Sequence, residues 1–111
     1  MENCIFCRII KGEIPATKVY EDDDMLIFND IEPKAKKHYL CIPKSHFKTL
    51  AEMDENQAEL VLKCLKKIPQ LQNELGLQDG YRLIINQGDN AGQTVFHLHI
   101  HVLGGEVLKD F

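Results

Sequence analysis

From His97 to Val102 the chain alternates imidazole and aliphatic side chains without a break: His97-Leu98-His99-Ile100-His101-Val102. An extended backbone sorts such a run cleanly, because successive side chains on a strand point to opposite faces. His97, His99 and His101 then share one face, and Leu98, Ile100 and Val102 share the other. Residues 96–103 are therefore expected as a strand with apolar side chains on one side and three imidazoles on the other.

The remaining segments supply its partners. Residues 3–11 read as a short helix, with Asn3 as N-cap, Ile5, Phe6, Ile9 and Ile10 as its apolar side and Gly12 past its end. Residues 18–20 and 25–29 read as a hairpin around the polar turn Asp22-Asp23-Asp24, and residues 38–42 as a third strand stopped by Pro43. A helical turn is expected at about 45–50. Asp54 and Gln57 fit a capping box ahead of Ala58, Val61, Leu62, Leu65, Ile68, Leu71 and Leu75 at helical spacing, with Gly76 in the stop position. Pro69 lies inside that run, which predicts a kink or break near Leu65. After the Asp79-Gly80 turn, residues 81–86 read as a strand and residues 87–94 as a loop. Helix, strands, long helix, strands, joined by short connections, is an α+β order with an antiparallel sheet. The 111 residues (1–111) fit a single domain with no repeat or linker.

The formal charge of −4 and pI near 5.7 argue against a nucleic-acid polymer as partner, since such proteins carry a basic stripe. Lys34, Lys36, Lys37, Lys44 and Lys48 cluster locally, as a solvated loop or as an attraction for a small phosphorylated ligand. Glu2, Arg8 and Lys11 interrupt any signal-like apolar run. No stretch approaches the ~18 apolar residues of a membrane span. A reducing cytoplasmic setting is the default, and there the four cysteines are poor disulfide candidates.

Three histidines on one strand face allow two chemistries. A single three-histidine metal site is awkward, because the outer two are separated by about 13 Å of backbone, although two of the three could bind an ion together. Nucleophilic catalysis fits better: a neutral imidazole at cytosolic pH can attack phosphorus and split one displacement into two. A backbone carbonyl can hold the central ring in one tautomer while its neighbours donate hydrogen bonds to phosphate oxygens. Gly88 and Gly92, with the short polar residues around them, let backbone N–H groups crowd an anion directly before the triplet.

Cys4 and Cys7 form a C-x-x-C without the strand context of a redox motif. Zinc suits them better but wants four ligands, and His46 with one outer histidine of the triplet completes a Cys2His2 set. Cys41 and Cys64 read as core residues.

Asp30-Ile31-Glu32-Pro33, Pro43-Lys44-Ser45-His46 and the run from Asn86 through His101 to Gly105 together resemble the histidine-triad (HIT) family, over nearly the whole chain. The branch it looks like is the Hint-type nucleotide-binding proteins, in their bacterial zinc-binding form. The resemblance implies a five-stranded antiparallel sheet with a long helix and short helices, dimerising into a ten-stranded sheet. It implies hydrolysis of purine nucleoside 5′-phosphoramidates through a nucleotidyl-histidine intermediate, releasing the nucleoside monophosphate. By the same resemblance His99 is the nucleophile and His101 contacts the α-phosphate. Thr94 replaces the usual serine near the leaving group, and Asn86, Gly92, Gln93 and Val95 line the phosphate end. Asp30 holds the ribose hydroxyls, while Ile5, Phe6, Ile9, Phe28 and Ile31 sandwich the base with His38 close by. Structural zinc takes Cys4, Cys7, His46 and His97. After Gly105 the chain lacks the Trp-Pro-Pro-Gly ending of animal relatives, a segment that bears on substrate preference there.

Two other readings compete. One is a dinucleoside polyphosphate hydrolase of the Fhit type, disfavoured by the absence of a long insertion before the triplet. The other is a nucleotide-binding or interaction protein with incidental chemistry, which leaves a free His99 nucleophile without a purpose.

Overall fold

The computed structural model describes residues 3–111, so Glu2, invoked above, lies outside the described residues. Helix α1 (Ile5–Ile10) is followed by the hairpin β1 (Lys18–Glu21) and β2 (Met25–Asn29). Strand β3 (Lys37–Pro43), helix α2 (Glu55–Gln70), β4 (Tyr81–Ile84) and β5 (Ile100–Gly104) complete the order. The five strands form one antiparallel sheet in the order β1-β2-β3-β5-β4, the α+β architecture expected. The Asp22 carboxylate shapes the hairpin turn by accepting the N–H groups of Asp24 (2.8 Å) and Met25 (3.0 Å).

Alternation on the central strands divides the core in two. Met25, Ile27, Tyr39, Cys41, Ile100 and Val102 face α2, where they pack with Cys64 and Ile68. Leu26, Phe28, Leu40 and Ile42 face the other way, onto Phe6 and Ile9 of α1. With both faces covered, the run Met25-Leu26-Ile27-Phe28 is apolar throughout rather than alternating. Cys41 and Cys64 are core residues, both essentially inaccessible.

Several boundaries differ from the sequence reading. The N-cap of α1 is Cys4, not Asn3: its sulfur accepts the Cys7 N–H at 3.4 Å. The helical turn expected at 45–50 is a single 3-10 turn at Leu50–Glu52. The capping box is present, with the Asp54 side chain accepting Gln57 N–H and the Gln57 side chain accepting Asp54 N–H. Helix α2 does not break near Leu65. It runs on to Gln70, and Pro69 sits in its last turn, where the helix is already ending. Residues 71–76 then coil into turns closed by Leu77 N–H to Gln72 C=O (2.7 Å), with Gly76 left-handed at φ +74°. Gly76 is thus a stop signal, but for this coda rather than for the helix. Strand β4 is shorter than residues 81–86, ending at Ile84.

The last strand begins at Ile100, so only His101 of the triplet lies within regular β-structure. The β3–β5 ladder ends at Cys41 opposite Ile100, and two residues later Pro43 offers no N–H to prolong it. Leu98 N–H instead bonds the Phe47 carbonyl at 2.8 Å. The sorting of faces nevertheless holds through residues 97–99. Leu98 is buried with Phe47 and Val61, whereas the rings of His97 and His99 pack against Phe6 of α1.

Candidate functional site

The α1 side of the sheet carries the chemistry, in two groups separated by His99. In the first group Cys4, Cys7, His46 and His97 place one ligand atom each within 4.8 Å of all the others. Nδ1 of His97 lies 3.5 Å from Cys4 Sγ and 3.6 Å from Cys7 Sγ, and Nδ1 of His46 lies 3.3 Å from Cys7 Sγ. A tetrahedral zinc ion, bonded at about 2.3 Å to sulfur and about 2.0 Å to nitrogen, sets N···S edges of about 3.5 Å, so the spacing fits. The tautomer fits as well. His97 donates Nε2–H to the Pro43 carbonyl at 2.8 Å, which leaves its Nδ1 lone pair facing the sulfurs. Burial, reinforced by Cys4, pushes the Cys7 thiol up to about 11, and burial pushes His97 down to about 4.

His99 stands between the groups, buried, with its ring 5.1 Å from those of Phe6 and His101. Its Nδ1–H donates to the His97 carbonyl at 2.7 Å, which leaves the lone pair on Nε2. Among the described residues no buried side-chain nitrogen lacks a partner, yet none bonds this Nε2, so the atom opens onto the neighbouring cavity. Burial pushes His99 below the ordinary imidazole value, against the opposing pull of the His97 carbonyl.

The second group is Asp30, His38 and His101. His38 Nε2 lies 2.9 Å from His101 Nδ1 and 3.4 Å from Asp30 Oδ2. Burial lowers both imidazoles, His101 to about 4. The other Asp30 oxygen accepts Glu32 N–H at 2.8 Å, which fixes the carboxylate at the end of β2.

His99 and His101 border a cavity of about 670 Å³ between the sheet and α1. Of the residues the family resemblance placed around a nucleotide, Ile5, Phe6, Ile9, Phe28, Asp30, Ile31 and His38 line its inner end and rim. Asn86, Gly92, Thr94 and Val95 line it as well. Ile31 is 93% exposed at the rim, whereas Phe28 lies beneath Phe6 with rings 5.7 Å apart. The Gln93 side chain is turned away. It is buried and braces the loop, donating to the Lys48 carbonyl at 2.8 Å and accepting Gly88 N–H at 2.9 Å.

Two parts of the lining went unread in the sequence, and a third was read only in part. Leu40 and Ile84 flank His101 on the two neighbouring strands, a consequence of register that no local pattern reveals. Ile14, Pro15 and Ala16 form a wall from the connection after α1, where their apolar run was the available signal. The lysine cluster divides: Lys34 lines this cavity, while Lys44 pairs with Glu21 at 2.8 Å. Lys48 lines a second, more open cavity of about 770 Å³, which shares Ile5, Thr94 and Val95 with the first. No helix among the described residues is long and apolar enough to cross a membrane.

A family profile described as "Scavenger mRNA decapping enzyme C-term binding" matches residues 3–110. The protein HitA of Neisseria gonorrhoeae is 49% identical over 107 residues, spanning 96% of this chain and all of its own length. Among solved structures, a HIT family hydrolase from Legionella pneumophila superposes with a TM-score of 0.90 at 44% identity, covering 96% of both chains. A Zn-bound histidine triad family protein from Mycobacterium smegmatis superposes with a TM-score of 0.81 at 37% identity, covering 95% of this chain and 76% of its own.

Proposed function

The chain belongs to the histidine-triad (HIT) family, and from that premise we propose that it hydrolyses purine nucleoside 5′-phosphoramidates through a nucleotidyl-His99 intermediate. The observation that carries the proposal is the state of His99: neutral, with its proton engaged by the His97 carbonyl and its Nε2 lone pair facing the cavity. The base lies between α1 and β2, against Phe6, Ile9 and Phe28, with Ile5 and Ile31 at the edge and His38 beneath. Asp30 accepts the ribose hydroxyls. Backbone N–H groups around Gly92 and Val95, with the Asn86 side chain, crowd the α-phosphate, and Gln93 serves by holding that loop in shape.

In the first step His99 Nε2 forms a bond to the α-phosphorus as the P–N bond to the amine breaks. The amine leaves past the Thr94 hydroxyl toward the second cavity, taking up a proton from solvent there. In the second step water attacks phosphorus and gives up a proton to solvent, His99 departs with its electron pair, and the nucleoside monophosphate is released. His101 donates a hydrogen bond to the phosphate in both steps. The sum is phosphoramidate plus water giving nucleoside monophosphate plus amine.

Zinc is the cation that the Cys4, Cys7, His46 and His97 set suits, and the Zn-bound mycobacterial relative supports the assignment. Its contribution is structural, since four protein ligands leave no open position for substrate. The working unit in this reading is a cytoplasmic homodimer, in which β4, the last strand at one edge of the sheet, pairs with its copy to give ten strands. Sedimentation at twice the chain mass is expected, and monomer at all concentrations would refute the pairing.

Intact-protein mass spectrometry after quenching with adenosine 5′-phosphoramidate tests the chemistry. Wild type should gain one adenylate, and His99→Ala should gain none and lose turnover by about 10³-fold or more. Full activity in the His99 variant would remove the mechanism.

A further inference from the structure

The grouping of Asp30, His38 and His101 resembles a second metal site, with ligand atoms within 4.8 Å of one another, but one hydrogen bond argues otherwise. The backbone N–H of Lys34 donates to His38 Nδ1 at 3.0 Å. A ring nitrogen that accepts a hydrogen bond carries no proton, so the neutral His38 ring has its proton on Nε2. That nitrogen is the one facing His101 and Asp30. It therefore presents N–H where a cation would need a lone pair. His97 has the reverse arrangement, with a carbonyl on its far nitrogen and a lone pair toward the cysteines. The fold thus builds one cluster to ligate and the other to donate.

We propose that His38 is a positioning residue: directed by the Lys34 N–H, it donates Nε2–H to His101 Nδ1 and so fixes His101 as an Nε2–H donor to substrate phosphate. The geometry leaves one consistent assignment. At 2.9 Å, Nε2 of His38 and Nδ1 of His101 share a single proton, since two would collide, and the Lys34 bond assigns it to His38. His101 must then carry its own proton on Nε2, and no described residue takes that atom as a partner. The contact arises from the sheet register. Leu40 lies opposite His101 and His38 opposite Leu103, so the two imidazoles are diagonal neighbours across β3 and β5. Asp30 Oδ2, 3.4 Å from His38 and 4.0 Å from His101, adds a negative charge that favours the donating ring.

The result is a pair of adjacent rings with opposite functions at Nε2. His99 is made a nucleophile by a backbone carbonyl, and His101 a donor by a backbone N–H acting through His38. This inference rests on the nucleotide-hydrolase reading for its consequence, but the tautomer itself does not depend on turnover.

Long-range ¹H–¹⁵N correlation spectra of zinc-loaded protein with ¹⁵N-histidine read both ring nitrogens directly, with His101 assigned by its loss in His101→Asn. Wild-type His101 should show a pyridine-like Nδ1 and a pyrrole-like Nε2. His38→Leu, which removes the donor but keeps apolar volume, should shift His101 toward the Nδ1–H form. It should also lower kcat for adenosine 5′-phosphoramidate by about tenfold or more, with KM changed by less than about threefold. His38→Gln, which returns an amide N–H near the same place, should restore the wild-type ring signature and recover most of the lost kcat. A pyrrole-like Nδ1 in wild type, or an unchanged signature in His38→Leu, would overturn the proposal, as would an altered signature with undiminished kcat. If the wild-type and His38-variant signatures follow the expected pattern but no adenylylated His99 forms, the relay stands and the hydrolase reading falls. If the adduct forms and the signatures do not respond, the relay alone falls.

Discussion

The His97 carbonyl, two positions earlier in the chain, holds the Nδ1 proton of His99, and the edge of Phe6 from α1 helps to bury the ring. Burial favours the neutral form against the pull of that carbonyl, and in the proposed mechanism this sets the pH response. Protonation would consume the Nε2 lone pair. Because burial lowers the ring below 6.5, kcat/KM should stay level as pH falls through 6.5 and decline only further down. A pH–rate profile with its acid limb centred at 6.5 or above would contradict this. The alternation of residues 97–102 was enough to place His99 on the working face. The partnership of His38 with His101 was not legible in the sequence. It depends on the register between β3 and β5, which pairs residues far apart in the chain, Cys41 with Ile100 and Tyr39 with Val102.

At the scale of elements, α1 is the weak member: six residues form fewer than two turns, far below the length at which a helix persists alone. Its seat is provided by Phe6 and Ile9 in the core and by Cys4 and Cys7 at its first turn, joined to His46 after β3 and His97 before β5. Under the zinc assignment proposed above, a chelator should therefore lower Tm and expose the amides of α1 to hydrogen exchange before those of β2 and β3. Equal protection of α1 with and without chelator would show that the core alone holds it. The long helix was readable at its start, by its capping box, but less so at its finish. Pro69 cannot donate to the Leu65 carbonyl, yet the helix continues through that turn and stops one residue after the proline. The strand carrying the triplet was overextended for a different reason: alternation reports which way side chains point, not whether a neighbouring strand is there to bond. At His97 and His99 the ladder with β3 has already ended, its last pair being Cys41 opposite Ile100.

Across the whole molecule the sheet order brings β5 to the middle of the second half, between β3 and β4, so the triplet ends where both flanking strands are packed. Gly104 is a tight point of that packing. A methyl group there would meet Leu77 Cδ2 at 2.7 Å and the Gly80 carbonyl at 3.1 Å, and the carbonyl belongs to the backbone of the turn before β4. Gly104→Ala should cost about 1–3 kcal/mol, read as a lowered denaturation midpoint, with the adenylylation of His99 preserved in the protein that remains folded. A neutral midpoint would show that the β4 turn yields freely. The antiparallel α+β order, the two helices and the separation of aliphatic from imidazole residues were all legible from local pattern. The wall of Ile14, Pro15 and Ala16 was not, because an irregular connection has no period to read.

The sheet also acts as a partition. Side chains that meet α2 form one buried cluster and those that meet α1 another, with no buried residue in both. In the proposed reading, substitutions in the α2 cluster can alter stability without touching the nucleotide site, whose lining shares no residue with it.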